Sequence, residues 1–301
     1  MVRTHEVVLR GILKPFETYN FSVALIVNFL FSLLILFYLR CKLPNISEPG
    51  AFISLSLVIM GMLLIWALVY LYVEALIISR TSSLIKGRDD VNEDLRRAAK
   101  RYLPLLAAVI ILVILSGIVT MVVSLAFTGS MEMSFSPIPS FSTQFLPIYL
   151  VSLLLSLLFW FVPQGVVIDE IGPVSTLWNS VRVLISRPIE VIVGFVSDTL
   201  IRAFIFVFLF RIISRMVGPL GISYHYGMNF DEFLDQLSEF LGVLATPKGY
   251  VALVLTLVLF SVSVLISIGI PTSVYLHARE IKEAEKREED VSQGDENLYS
   301  M

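Results

Sequence analysis

The stretch "FVSDTLIRAFIFVFLFRIISR", Phe195 to Arg215, decides the fold class and poses the functional question. It is apolar and long enough to cross a hydrocarbon layer, which takes about 20 helical residues at about 1.5 Å of rise each. Yet it carries Asp198, Arg202, Arg211 and Arg215. Asp198 and Arg202 stand one helical turn apart and share a face. Counted from Glu190, they lie ~12 and ~18 Å along the helix, inside the bilayer. Ionisable groups at that depth are costly and face protein or a water-filled cavity. Arg211 and Arg215 turn roughly 220° and 260° away from Asp198. They fall near the far surface, where arginine stems lie along apolar surface and the charge reaches water.

The rest of the chain has the same character. Of its 301 residues 56% are hydrophobic and only 16% charged, and mean hydropathy is +0.84. Soluble domains carry about 25% charged residues, so a polytopic membrane protein is expected. Six apolar runs are long enough to span: Phe21–Leu39, Ala51–Ser79, Leu103–Phe127, Phe145–Ile168, Val191–Val217 and Gly249–Tyr275. Arg3, Arg10 and Lys14 precede the first as they would in a signal peptide. "LRCKLPN" after it offers no small-residue cleavage site, so that span is expected to stay as an anchor. A net charge of −3 gives no reason to expect nucleic-acid binding. One cysteine, Cys41, excludes an internal disulfide, and three scattered histidines make no zinc signature.

Orientation follows from lysine and arginine in the short connections. Arg3, Arg10 and Lys14 precede the first span. Arg80, Lys86, Arg88, Arg96, Arg97, Lys100 and Arg101 lie between the second and third. Arg182 and Arg187 lie between the fourth and fifth, and Arg279, Lys282, Lys286 and Arg287 follow the sixth. These are most of the chain's 22 basic residues. Both termini are therefore expected in the cytoplasm and the protein in the cell membrane. The connection "TGSMEMSFSPIPSFSTQ" after the third span has no lysine or arginine, as an external loop should.

Three segments on the basic side share a form: a short amphipathic or basic helix, a breaker or polar junction, then two spans. They are "VVLRGILKPFETYN", "NEDLRRAAKRYLP" and "GPVSTLWNSVRVLISRP", and Arg10, Arg96 and Arg182 fall at equal intervals. The expected fold is an all-α membrane domain over residues 1–278, in three helix–hairpin units at about 5–80, 88–168 and 172–278. Each unit has its own cytoplasmic interfacial helix. A charged tail, 279–301, starts as a helix and ends polar and in part disordered. In the third lead-in helix Pro173 suits the first turn, and Pro188 should end the helix at Arg187. Val174, Leu177, Trp178, Val181 and Leu184 form an apolar stripe. Trp178 should sit at headgroup depth and Arg182 in cytoplasmic water, while Ser175, Asn179 and Ser186 also face away.

The run "FVPQGVVIDEIGPVSTLWNSVRVLISRP", Phe161–Pro188, resembles a segment of a loose set of prokaryotic six-span proteins. The set includes the membrane domain attached to some glycerophosphodiester phosphodiesterases and related bacterial and archaeal integral membrane families. Pro163, Glu170, Gly172, Ser180 and Arg187 match its pattern. The resemblance implies a helical membrane domain and no reaction, because the phosphodiesterase chemistry belongs to a separate soluble domain.

Two functions fit. The first is a non-enzymatic protein that organises or handles lipids or partner proteins in the envelope, with membrane lipids, a partner membrane protein or a second copy as its partners. The second is a transporter or permease for an ion or small solute, using Glu74, Asp198 and Arg202. Glu74 lies ~9 Å inside the end marked by Arg80, so it can pair with Arg202 as the third member of a buried cluster. Gly and Pro interruptions in matching spans, which mark many transporter sites, are weak here. A water-filled cavity reaching Glu74 and Asp198 would favour transport, and a dry cluster the first reading. No P-loop, GxSxG or HExxH motif points to an enzyme, and no cofactor or metal is expected. Two external features complete the picture: a sequon at Asn45, and "MNFDEFLDQLSEFLGVL" with an acidic stripe at Asp231, Asp235 and Glu239. Beside the second, "SYHYG" (Ser223–Gly227) would be an aromatic anchor at the outer interface.

Overall fold

Hydrocarbon offers backbone polar groups no partners, so each apolar run must satisfy its own by forming a helix. A computed structural model describes residues 4–42, 49–128, 146–217 and 230–299. The helices are α1 (Thr4–Leu13), α2 (Thr18–Lys42), α3 (Pro49–Ile85), α4 (Val91–Thr128), α5 (Leu146–Leu158), α6 (Val162–Val167), α7 (Pro173–Ser186), α8 (Pro188–Val217), α9 (Phe230–Leu244) and α10 (Pro247–Tyr299). A single 3₁₀ turn, Lys14–Phe16, joins α1 to α2. The described residues contain no strand. Six stretches are long and apolar enough to cross a membrane: Thr18–Lys42, Gly50–Ile85, Val91–Ala126, Leu146–Val167, Pro188–Arg215 and Pro247–Ile281. Their outer faces carry large apolar side chains such as Phe37, Leu64, Val113 and Phe204, each more than half exposed. Such a surface suits lipid and not water. The protein is a multi-pass membrane protein.

The inner faces meet in two packed regions. Ile77, Ile78, Leu105, Val162, Val166 and Leu265 form one, and Phe161, Val191, Ile270 and Tyr275 the other. α10 is the hub, touching α1, α2, α3, α8 and α9. α1 reaches it most closely at Gly11 and Gly269. A Cβ on Gly269 would stand 2.1 Å from the Gly11 carbonyl oxygen, and one on Gly11 would stand 2.7 Å from the Ile270 Cα. Only glycine lets the two backbones meet. One turn further along α10, the Ser273 hydroxyl donates to the Val7 carbonyl at 2.7 Å.

Three features depart from the sequence expectation. The second lead-in segment, Asn92–Pro104, is no separate interfacial helix: it runs straight into the third span, with Pro104 inside α4. Pro104 sits where the tight packing of Leu105 and Ala108, both fully buried, holds the helix together around the missing N–H. The fourth span is interrupted instead, at Phe159–Phe161, between α5 and α6. The closest pairings are α8 with α10 and α3 with α4, and the second joins helices that the sequence places in different units.

α7 begins with Pro173 in its first turn and ends at Ser186 before Pro188, as expected. Its apolar stripe is split. Val174 and Trp178 are exposed, as is Arg182, while Leu177 packs on the core. The fully buried residues of α7 are Thr176 and Ser180, and Asn179 is half-buried, so the inward face is polar. The Gly165 Cα allows this packing, because a Cβ there would meet Thr176 Oγ1 at 2.2 Å. α10 leaves the apolar stretch and continues as a charged helix to Tyr299. The Asn45 sequon, the "SYHYG" segment and residues 129–144 of the connection after α4 lie outside the described residues.

At the end of the bundle from which α4 and α8 start, the charges are tied down. Arg80, counted above among the loop residues, is buried in α3 with 2% of its side chain exposed. Its Nε and Nη2 donate to the two oxygens of Glu17 at 3.1 and 2.8 Å. Nη2 also meets Asp89 at 2.6 Å, and Nη1 lies 3.6 Å from the buried Asp94. The Ser79 and Ser83 hydroxyls donate to Asp94 at 2.9 and 2.7 Å. A second tie joins α7 to α10: Asn179 donates to the Tyr275 hydroxyl at 2.7 Å, which donates to Asp169 at 2.6 Å, and Arg279 pairs with Asp169. Glu170 between α6 and α7 has φ of 58°. Arg101 holds this left-handed residue at two points, by an ion pair with its carboxylate and a hydrogen bond of 3.2 Å to its carbonyl. Nearby, partial burial and the Arg279 and Arg97 guanidiniums push the Lys86 ammonium below its ordinary value.

Candidate functional site

The interrupted fourth span builds one wall of the site. At the break the helix loses its regular ladder, and a hydroxyl from α7 repairs it. Ser180 Oγ donates to the Leu158 carbonyl at 2.8 Å and accepts the Phe161 N–H at 3.2 Å. This support lets Phe159 and Trp160 turn inward without leaving those backbone groups bare in an apolar core. Trp160 packs edge-on against Phe195 of α8, with ring centroids 5.5 Å apart. Its ring fits over Gly194, where a Cβ would meet it at 3.1 Å.

Behind these rings lies a cavity of about 530 Å³ between α3, α4, α5, α6, α8 and α10. Glu74, Asp198 and Arg202, singled out in the sequence, all line it. Asp198 is fully buried, and Arg202 Nη2 donates to its Oδ2 at 2.7 Å. The i,i+4 pair read from the sequence is therefore formed. Arg202 keeps 42% of its side chain exposed, so the pair is buried on one side only. The Trp160 indole also faces the carboxylate, but Asp198 Oδ1 has no hydrogen bond of normal geometry. Arg202 Nε has none either.

The expected contact between Glu74 and Arg202 is not made. Among the described residues Glu74 has no ion pair and no hydrogen bond, although it lines the same cavity. The reason is geometric. Arg202 reaches back one turn along its own helix to Asp198, and the cavity stands where a third partner would be.

The sequence reading missed most of the remaining wall. Gln164 of α6 is buried with Oε1 unpartnered. Ser116 and Thr120 of α4, and Ser152 and Ser156 of α5, present hydroxyls at helical spacing. Ser267 and Pro271 complete the wall on α10. Pro271 has no N–H to give the Ser267 carbonyl one turn earlier. The interruptions judged weak in the sequence therefore meet: Pro163 beside the break in the fourth span and Pro271 in the sixth line one cavity. A proline in an apolar run and paired hydroxyls four apart were the available signals. Trp178 and Arg182 lie elsewhere, on the outward side of α7. Among the described residues, no group of three or more His, Cys, Asp or Glu is placed to hold a metal ion.

No family model, no curated protein and no solved structure gives a significant match to the chain.

Proposed function

We propose that the protein is a membrane carrier that admits an ion or small polar solute to a cavity within the bilayer, with Glu74, Asp198 and Arg202 as its charged wall. The cavity is the observation behind this reading. A bundle that served only as a scaffold gains nothing from a polar cavity among its helices, because an unpartnered buried polar group costs free energy that an apolar side chain would not. Intramembrane carboxyls of this kind mark ion paths and proton relays. An interrupted span beside a proline-bearing one at mid-depth is the arrangement on which carriers build substrate sites. The lysine and arginine bias supports placing the end that holds Arg80 and Arg279 in the cytoplasm, with the protein in the cell membrane. The role is binding and passage, not catalysis.

The exposed apolar residues Val174 and Trp178 on α7 support a second reading, in which the protein organises or handles lipid at the interface, as the resemblance to phosphodiesterase membrane domains suggests. One experiment separates the two. Liposomes holding the purified chain and a pH-sensitive dye are given a potassium diffusion potential. The carrier reading expects a protein-dependent proton flux that falls at least tenfold in Glu74→Gln. Liposomes that hold their gradient, with fluorescent lipid crossing the bilayer at a protein-dependent rate, would replace it by the lipid reading.

A further inference from the structure

We infer that the cavity takes a small organic cation, an ammonium group in chemical class, and that this cation and a proton compete for Glu74. The inference rests on the carrier reading and names its substrate. The first ground is the balance of hydrogen-bonding groups. The acceptors left without partners are the Glu74 carboxylate, Asp198 Oδ1 and Gln164 Oε1, with the Ser267 carbonyl freed by Pro271. Asp198 and Gln164 are both at least nine-tenths buried, so water at the surface does not satisfy them. Among the fully buried polar atoms of the wall, the donor without a partner is Arg202 Nε, against the two acceptors Asp198 Oδ1 and Gln164 Oε1. A ligand rich in N–H donors completes such a wall, and an anion would leave it worse matched.

Charge points the same way. Asp198 neutralises Arg202 at 2.7 Å, so an ionised Glu74 leaves the cavity one negative charge in excess. An anion would find only the remaining N–H groups of Arg202 and would bring its charge beside Asp198 and an ionised Glu74. A cation meets no such repulsion. The walls then distinguish an organic cation from a bare metal ion. Phe159, Trp160 and Phe195 line the cavity, and aromatic faces attract ammonium groups by their quadrupole. Two carboxylates and one amide do not make the closed oxygen shell of a divalent ion, and about 530 Å³ is far more room than a bare ion fills.

Coupling follows from Glu74 having one charge to give. A carboxyl that holds a proton cannot also balance a cation, so binding the cation releases the proton. The ionisable groups facing Glu74 are Tyr70 on its own helix and Asp198 and Arg202 across the cavity on α8. The other helices of the wall bring hydroxyls, Gln164 and apolar groups.

The test uses the full chain in nanodiscs of phosphatidylglycerol, titrated with ethylammonium or methylammonium chloride and, separately, with sodium acetate or phosphate at constant ionic strength. Expected are a saturable rise in melting temperature with the ammonium salts only, proton release on binding in weak buffer, and affinity that falls as the pH is lowered. Glu74→Gln should weaken binding at least tenfold and abolish proton release, while Glu74→Asp, which keeps the charge, should retain both and control for folding. Nanodiscs of phosphatidylethanolamine separate two sources of the same chemistry. Loss of the ethylammonium response there assigns the site to a lipid headgroup, and an unchanged response assigns it to a free amine. Saturable acetate or phosphate binding that disappears in Arg202→Met would overturn the inference, as would an ammonium response unaltered in Glu74→Gln. Proton flux with no ammonium binding would overturn the cation site and leave the carrier reading standing. Ammonium binding without flux of proton or amine would do the reverse.

Discussion

Ser180 of α7 accepts the backbone N–H of Phe161 at 3.2 Å, and the same hydroxyl donates to the Leu158 carbonyl at 2.8 Å on the far side of the break. One side chain thus holds open the interruption that turns Phe159 and Trp160 toward the cavity. Ser180→Ala would leave two buried backbone groups bare. A loss of about 1–3 kcal/mol is expected, read as a lower unfolding midpoint in detergent. Ser175→Ala, at an exposed position of the same helix, should change little. Equal midpoints for the two variants would show that the break does not depend on the hydroxyl.

Asp198 and Arg202 provide a double-mutant cycle. Arg202→Met strands a buried carboxylate and should cost ~3 kcal/mol, the low end for such pairs because Arg202 is partly exposed. Adding Asp198→Leu should recover part of that loss. Arg211→Gln, on an exposed part of α8, should be nearly silent. Strict additivity across the cycle would deny the coupling.

Arg80 joins Glu17, Asp89 and Asp94 and thereby fastens the α1–α2 junction to α3 and α4. Arg80→Met is expected to be the most damaging single charge removal in the chain, ~3–5 kcal/mol, because Asp94 is itself only 1% exposed. Limited proteolysis should then cut near residue 17 faster than in the parent. Undiminished stability would show that the hydroxyls of Ser79 and Ser83 suffice to hold Asp94.

Glycine substitutions should divide by location. Gly269→Ala drives a methyl into the Gly11 carbonyl and should destabilise by about 1–3 kcal/mol, loosening α1 from α10. Gly61→Ala faces open space in the middle of α3 and should stabilise by up to about 1 kcal/mol through helix propensity. Thermal unfolding of both variants in one detergent checks the contrast.

Topology can be read by labelling. In a Cys41→Ser background, cysteine at position 90 should resist a membrane-impermeant thiol reagent in sealed cells, and cysteine at position 135 should react. The reverse pattern would invert the chain.

The sequence alone determined that this chain is helical and has six runs long and apolar enough to cross a membrane. Runs of about 20 apolar residues admit no other low-cost structure in hydrocarbon. It also determined the bounds of α7, since Pro173 and Pro188 act on the backbone next to them, and the Asp198–Arg202 pair, since four residues on one helix are always neighbours. Those are local consequences of covalent geometry. Tertiary packing decided the rest. The second lead-in segment shares its basic composition with the others, yet fuses into α4 because packing around Leu105 and Ala108 overrides the proline. The fourth span breaks because Ser180, nearly twenty residues on, can satisfy the freed groups. Glu74 remains unpartnered because Arg202 is committed to Asp198, and because six helices leave a space between them. A cavity is a property of how separate helices fail to touch, and no residue spacing along one chain encodes that directly.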